Sequence, residues 1–416
     1  MQLQRLRRTV ERALLTPFYR RRLAQAGLKS SEDIRSLDDL RRLPLTTKSD
    51  LREAYPDGLL AVDKSDVVRL HTSSGTTGTP TVIYHTRHDL DSWTELTARC
   101  ILATGAGRAD VFQNMMTYGL FTGGLGLHYG AERAGLLVIP SGAGNTGRQL
   151  RLMKDFRTTV LHATPSYMLH IHARLPEEGF RLDELNLKKA YLGGEPYSEN
   201  TRRKIETLYG IRVYNSYGLS EMNGPGVAFE CIHQDGMHIW EDAYHVELIA
   251  PDTGRACADD HEGELVMTTL DREATPVLRY RTGDITTLLP GGCPCGRTHR
   301  RIARITGRTD DMLILNGVNV YPSQIEQLLM RVPGVATNYA LTIEKVGALD
   351  RLTVKTEVDR QLFTGDLSAL DRLKTHIAEA IKSGALIRPV VELHEPGALP
   401  VFEMKAKRVT DLRPKE

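Results

Sequence analysis

Two clusters of residues in this chain have types and spacing suited to chemistry. The first is the run His71-Thr72-Ser73-Ser74-Gly75-Thr76-Thr77-Gly78-Thr79-Pro80, in which hydroxyl side chains alternate with glycines. Glycine accepts positive φ, so successive N–H groups can turn inward and form a concave anion site. The Ser and Thr hydroxyls add donors to the same concavity. Such a loop suits a nucleoside triphosphate. It lacks the Gly-x-x-x-x-Gly-Lys-Ser/Thr spacing and so is not a Walker A loop. A flexible linker is the alternative, but linkers seldom lie between two β-type runs, here 67–70 and 81–84.

The second cluster is sulfur and imidazole. Cys293-Pro294-Cys295-Gly296 has the form of a metal knuckle, with His299 just beyond. Upstream, Cys231 and His238 flank the Asp235-Gly236 turn, so both can point the same way from one hairpin. Cys231, His238, Cys293 and Cys295 would make a closed Cys₃His site for structural Zn²⁺. His233 and His299 remain alternatives for the nitrogen ligand. Cys100, in a helical run, reads as an ordinary buried thiol.

The elements that must position these clusters follow from periodicity. Leu3, Leu6, Val10 and Leu14 recur at helical spacing, and residues 37–43 continue in that manner. A helix over 89–104 follows the Ser/Thr/Gly loop, and strands are expected at 136–140, 159–163 and 189–192. Thr164-Pro165 reads as a helix cap and first residue, and a helix over 198–209 is closed by Gly210. This strand–helix alternation argues an α/β body with parallel sheet, with ligands at strand C-termini. From Phe229 the period becomes two-fold, with turn signals at 235–236 and 251–254 and strands at 263–270 and 277–289. Beyond it, 315–326 reads as loop then helix, with Ser323 and Glu326 at capping-box spacing. Strands near 338–357, a helix over 366–383 and a strand at 389–394 complete a small α+β region.

Length and composition bound the function. At 416 residues the chain exceeds one ordinary core, and 41% hydrophobic with 25% charged residues is an ordinary globular composition. A net charge of +2 gives no argument for a nucleic-acid or anionic-membrane partner. No apolar run nears the roughly 18 residues that span a bilayer. The amphipathic N-terminus lacks a signal peptide's apolar core, so a cytoplasmic setting is expected, where five cysteines favour metal over disulfides.

The Ser-Ser-Gly-Thr-Thr-Gly-x-Pro-Thr-Val form of the loop resembles the adenylate-forming superfamily of acyl-CoA synthetases, peptide-synthetase adenylation domains and luciferases. It is most similar to the phenylacetate–CoA ligase branch, which usually has a residue such as Thr81 where other members carry lysine. The resemblance runs to the C-terminus. It implies that Ser73, Ser74, Gly75, Thr76, Thr77 and Gly78 bind ATP phosphates. Gly194, Glu195 and Pro196 would line the adenine slot, with Asn215 and Gly218 beside the nucleotide and Tyr217 stacked on adenine. Ser220 would reach the α-phosphate or acyl carboxylate, and Glu221 would bind Mg²⁺. Asp284, in Tyr280-Arg281-Thr282-Gly283-Asp284, would accept both ribose hydroxyls, and Arg308 would reach ribose or phosphate. Tyr118, Phe121, Gly123 and Gly124 would form a wall of the acyl pocket, although both aromatics could equally fill core. The family's terminal lysine falls on Lys405, with Met404 where a glycine is usual and Lys407 as the fallback.

The resemblance further implies a large N-terminal α/β domain over 1–309, with parallel sheets and a zinc-stapled β subdomain near 229–300. A small mobile α+β domain over 310–416 would hinge at Asp310, and the loop around Gly317 would face a CoA tunnel. The expected activity is ATP-dependent activation of an aromatic carboxylic acid through acyl-AMP and transfer to CoA. A carrier protein, an amine or another nucleophile is the alternative acceptor, and a homodimer is left open. A zinc-knuckle nucleic-acid-binding module is disfavoured by the absence of a basic stripe interleaved with aromatics.

Overall fold

The computed structural model describes residues 1–73, 79–258, 260–347, 349–359, 362, 367–400 and 408–413. Two compact units are each assembled from separate segments. The first comprises 1–142, 158–162 and 214–304, and the second 143–157, 163–213 and 305–416. Among the described residues no helix is long and apolar enough to cross a membrane.

The first unit opens with helices Gln2–Leu15 and Pro17–Gln25, and the former buries Leu6, Val10 and Ala13 along one face. Thr16 separates them in extended conformation and accepts from the Tyr19 N–H, while Pro17 takes the first helical position. Strands Arg69–Thr72 and Val82–His85 then pair antiparallel, Arg69 opposite His85 and Thr72 opposite Val82. They are the arms of the Ser/Thr/Gly loop, whose residues 74–78 lie outside the described ones. Helix Arg87–Ala103 starts at a capping box between Thr86 and Asp89. Strand Val111–Asn114 is flanked in parallel by Leu137–Ile139 and Val160–Ala163, the parallel sheet that strand–helix alternation predicts. Strand Arg212–Leu219 instead pairs antiparallel with Gly224–Glu230, which continues to Met237–Ile239, Arg301–Ile302 and Leu288–Leu289. Tyr244–Ile249, Gly263–Thr269 and Tyr280–Thr286 form a further antiparallel run.

One local expectation in this unit needs correction. The strand expected over 277–289 is really Tyr280–Thr286 followed by Leu288–Leu289. Its early residues are irregular because Arg279 takes φ 45°, with its guanidinium paired to the Glu247 carboxylate at 3.0 Å and bonded to the Leu43 carbonyl at 2.6 Å. Gly123, Gly124 and Gly126 lie inside helix Gly123–Arg133. A Cβ on Gly126 would come within 2.4 Å of the Trp93 ring, and one on Gly130 within 2.4 Å of Thr97. These glycines let two helices touch backbone to side chain.

In the second unit, helix Pro165–Arg174 is capped by Thr164 with Pro165 at its first turn. Strand Lys189–Leu192 leads to helix Glu199–Tyr209, capped by Ser198 and closed by Gly210 at φ 67°. The C-terminal part is a four-stranded sheet in the order Val390–His394, Leu349–Val358, Val335–Val346, Val409–Asp411. Helices Pro322–Leu329 and Leu367–Ala385 cover it through Ile325, Leu329, Ile377 and Ile381. The stretch read as a loop before Pro322 is a hairpin, Leu313–Leu315 with Val318–Val320, closed by Asn316 and Gly317 at φ 52° and 82°.

The capping box expected of Ser323 and Glu326 does not form. Pro322 occupies the first helical position and Tyr321 the cap, without a side-chain bond, so Ser323 is already inside the helix. Its hydroxyl donates to the Thr306 carbonyl. Glu326 accepts instead from the Thr201 hydroxyl at 2.7 Å and the Ser198 N–H at 3.2 Å, at the N-terminus of the Glu199–Tyr209 helix.

Candidate active site

In the first unit, the reversal between strands Arg212–Leu219 and Gly224–Glu230 carries Asn215, Tyr217, Gly218, Ser220 and Glu221. Asn215, Tyr217, Ser220, Glu221 and Asp284 are all buried. The Tyr217 hydroxyl donates to Asp284 Oδ2 at 2.6 Å, which joins the adenine and ribose motifs. Asp284 keeps acceptor capacity on its carboxylate, since two oxygens offer about four lone-pair sites. The Asn215 N–H donates to Glu230 at 2.7 Å. Gly218 is obligatory on steric grounds, because a Cβ there would lie 1.9 Å from the Gly224 carbonyl oxygen.

The turn 220–223 is held at every residue. Ser220 Oγ meets Thr122 Oγ1 at 3.3 Å, the Met222 carbonyl accepts from the Tyr244 hydroxyl at 2.9 Å, and the Glu221 carbonyl accepts from Arg272 at 2.7 Å. Asn223 takes the left-handed conformation at φ 78° and its side-chain oxygen accepts from the same guanidinium. The carboxylate of Glu221 is different. Among the described residues no donor bonds to it, although the residue is 6% exposed. Its oxygens are therefore left to solvent or to a ligand. Its fit to a hard, oxygen-seeking divalent ion is good.

Tyr118 is half-buried, its hydroxyl accepting from Asn114 Nδ2 at 3.0 Å and lying 3.2 Å from His128 Nδ1; burial pushes its pKa up to about 12. Phe121 is 38% exposed, so it is surface as much as wall. Gly124 lies against the Thr117 carbonyl and Gly123 against the Phe121 ring, leaving no room for a Cβ on either. Ser73 accepts from the Thr81 N–H at 3.1 Å, across the base of the loop. Ser74, Gly75, Thr76, Thr77, Gly78, Lys405 and Lys407 lie outside the described residues.

The second unit holds the rest. Gly194 has φ 80°, and Glu195 accepts from the Ser166 N–H at 2.6 Å. Pro196 lies two residues before Ser198, the cap of helix Glu199–Tyr209. Arg308 is forked onto Asp310 at 2.8 and 3.0 Å, so the expected hinge aspartate holds the expected ribose arginine.

The sulfur cluster assembles from the first unit alone. Ligand atoms of Cys231, His238, Cys293 and Cys295 all lie within 4.8 Å of one another. Cys231 and Cys293 sulfurs are 3.6 Å apart, and Cys295 Sγ is 3.4 Å from His238 Nε2. A tetrahedral ion about 2.3 Å from sulfur would space its ligands about 3.8 Å apart, which these edges approach. Burial pushes the Cys231 thiol up to about 12 and His238 down to about 4, the latter opposed by the His299 backbone. Cys295 is raised by burial but brought down to about 7 by the Arg297 backbone and side chain and by the neighbouring thiols. His299 is turned elsewhere, accepting from the Glu241 N–H at 3.3 Å. Cys100 is fully buried beneath the Trp240 indole N–H, as an inert thiol should be.

Several buried residues around the turn and the loop's arms were given no role by the sequence. Arg272 and Asp89 lie far from the turn in sequence. His71 and His85 point to one face of the loop's two arms, where both are buried, and His85 stacks on Trp93. Burial holds the His71 pKa down and the His85 pKa well below the ordinary value, so both are neutral near pH 7.

A family model of AMP-binding enzymes matches residues 13–270, and one of the AMP-binding enzyme C-terminal domain matches 317–413. The chain is 44% identical to phenylacetate-coenzyme A ligase of Thermus thermophilus, over 99% of this chain and 96% of the relative. It is also 44% identical to the enzyme of that name from Escherichia coli, over 99% and 94%. Among solved structures, 2-hydroxyisobutyryl-CoA ligase in a postadenylation state with an acyl-AMP superposes at TM-score 0.92, with 29% identity over 98% of this chain and 88% of that one. The same ligase with CoA in its thioesterification state superposes at 0.72, with 30% identity over 99% and 89%.

Proposed function

The chain belongs to the AMP-binding enzyme family, in its phenylacetate–CoA ligase branch, and from that premise we propose that it activates an aromatic carboxylic acid with ATP and transfers the acyl group to CoA. The acid's carboxylate oxygen bonds to the α-phosphorus of ATP as the bond to pyrophosphate breaks. The CoA thiol, losing its proton, then bonds to the acyl carbon, and AMP leaves. Catalysis is largely positioning and charge stabilisation. Tyr217 and Asp284 orient adenosine, and Ser73 and the loop after it hold the phosphates. Ser220 steers the reacting carboxylate, and Lys405 is assigned to the charge shared between carboxylate and α-phosphate. Glu221 would hold Mg²⁺, which supplies neutralisation of the phosphate oxygens. Residues from 310 onward carry Lys405 and Gly317 and are assigned to act in alternate poses.

The observation that carries this reading is Glu221 at the end of the Tyr217 strand, a residue 6% exposed whose carboxylate takes no protein donor among the described residues. Zn²⁺ would be held by Cys231, His238, Cys293 and Cys295, supplying a structural cross-link only. Free cysteines throughout the chain suit a reducing compartment such as the cytoplasm. The test is a panel of aryl, arylacetic and aliphatic acids, read by pyrophosphate release with and without CoA. Aromatic acids should give release that CoA accelerates, with acyl-CoA as product. Release that CoA leaves unchanged would transfer the assignment to a carrier protein or amine acceptor, and release with aliphatic acids alone would overturn the aromatic class.

A further inference from the structure

Arg272 is an arginine with almost no solvent: 2% of its surface is exposed. Burying a guanidinium is costly unless its donors are used and its charge is opposed. One terminal nitrogen donates to the Glu221 carbonyl at 2.7 Å and, at 3.4 Å, to the Thr275 carbonyl; the other donates to Asn223 Oδ1. The guanidinium thus grips both ends of the turn 221–223. Nε has no protein acceptor among the described residues. Arg272, Asp89, Ser92 and Asn223 line a cavity of about 10 Å³, the room that one water needs.

The arginine is itself fixed. Asp89 accepts from the backbone N–H groups of Glu273 at 2.7 Å and Ala274 at 3.0 Å, and from Thr86 at the start of helix Arg87–Ala103. The segment 272–275 is therefore clamped to a helix N-terminus by one buried carboxylate. Burial works against the charge of the guanidinium, and Tyr244, Asp89 and Glu221 favour it. None of its donors is spent on the Glu221 carboxylate, which stays open while its main chain is pinned.

We infer that Arg272 is a positioning residue for the Glu221 carboxylate, holding the 221–223 turn so that this carboxylate meets a divalent cation on ATP in a single orientation. The inference rests on the metal role of Glu221 proposed above. A fixed carboxylate loses less freedom on binding a cation than a mobile one, so the fork raises affinity without touching the ion.

Two variants separate this from bulk stability. Arg272→Lys keeps the charge but loses the planar fork whose two terminal nitrogens reach the two acceptors. Asn223→Gly removes one arm of the grip while keeping the left-handed backbone. The probe is Mn²⁺ with ATP and no acid substrate, read by loss of the free Mn²⁺ resonance, with thermal midpoints measured alongside. Both variants should weaken Mn²⁺ uptake in the ATP complex by roughly tenfold, the scale of one charged hydrogen bond. ATP binding without metal should hold, and Asn223→Gly should keep its midpoint within a few degrees. Glu221→Gln is the control. If it leaves Mn²⁺ uptake unchanged, the metal role falls and this inference with it. If Glu221→Gln weakens uptake while Asn223→Gly leaves it at the wild-type level, the positioning role alone is overturned, whether or not Arg272→Lys folds.

Discussion

Glu221 and Glu326 are each 6% exposed, yet their surroundings treat them in opposite ways. Glu326 spends its carboxylate on protein donors, the Thr201 hydroxyl and the Ser198 N–H, at a helix start. Glu221 spends only its main-chain carbonyl on protein, and its carboxylate takes no donor among the described residues. Equal burial therefore does not mean equal role. A satisfied carboxylate is structure, whereas one whose backbone is tied and whose oxygens are open is poised for a ligand.

The largest expected effect breaks the open member of this pair. Glu221→Gln should slow acid-dependent pyrophosphate release by on the order of 10²–10³-fold, the scale of losing one preorganised electrostatic contact. Titrating Mg²⁺ at saturating ATP measures it, and the loss should shrink as Mg²⁺ rises. A variant with wild-type Mg²⁺ dependence would place Glu221 beside Glu326 as structure.

The sulfur cluster sharpens the comparison, since the ligand atoms of its four residues also converge. Purified protein should carry about one zinc per chain. Cys293→Ser should lose it and lower the thermal midpoint by roughly 5–10 °C, an effect of a few kcal/mol in a protein of this size. Nucleotide binding should survive, because Tyr217, Asp284 and Glu221 hang on other contacts. Metal-free wild-type protein of unchanged midpoint would refute the structural ion.

What was legible in the sequence was local. Thr164-Pro165, Ser198 and Gly210 announce helix ends because a cap is read from neighbouring residues, and each performs that task. The four-residue sulfur cluster was legible because a Cys-x-Cys knuckle and a hairpin leave few ways to aim. The Tyr217 and Asp284 motifs were legible from resemblance, not from physics, since nothing local says that a tyrosine and an aspartate 67 positions apart will bond. What failed was tertiary. The Ser323/Glu326 spacing is a sound local signal, but Pro322 took the first turn and a distant helix start claimed the glutamate. Arg279 broke an expected strand because Glu247 and two main-chain carbonyls, 236 and 238 positions away, draw its guanidinium. Arg272 carried no signal at all, being one cation in a charged stretch until Asp89 and the 221–223 turn surround it.

A smaller effect probes the Tyr217–Asp284 pair. Tyr217→Phe keeps the ring for adenine and deletes one hydrogen bond worth about 1 kcal/mol. The Michaelis constant for ATP should rise roughly fivefold, with the maximal rate nearly unchanged. A fall in maximal rate at constant affinity would show that the hydroxyl acts on the reaction rather than on Asp284.

The smallest effect tests the satisfied member. Burial raises the Glu326 pKa, against the Thr201 hydroxyl, the Arg408 charge and the Ser198 N–H, which pull it down. With the folded value above the unfolded one of about 4.3, the stabilisation from this group is complete below that pH. It is lost as pH rises through the folded value. Glu326→Gln keeps an oxygen for Thr201 and Ser198 but cannot ionise, so it removes this dependence. The wild-type midpoint minus that of the variant should therefore be most positive near pH 4 and fall by a few degrees toward neutrality. Thermal unfolding of both proteins across that interval measures the difference directly. Parallel curves would mean that the helix start and its two donors stabilise the anion as fully as burial opposes it. In that case Glu326 would be held as a charge, and burial alone would no longer distinguish its environment from that of Glu221.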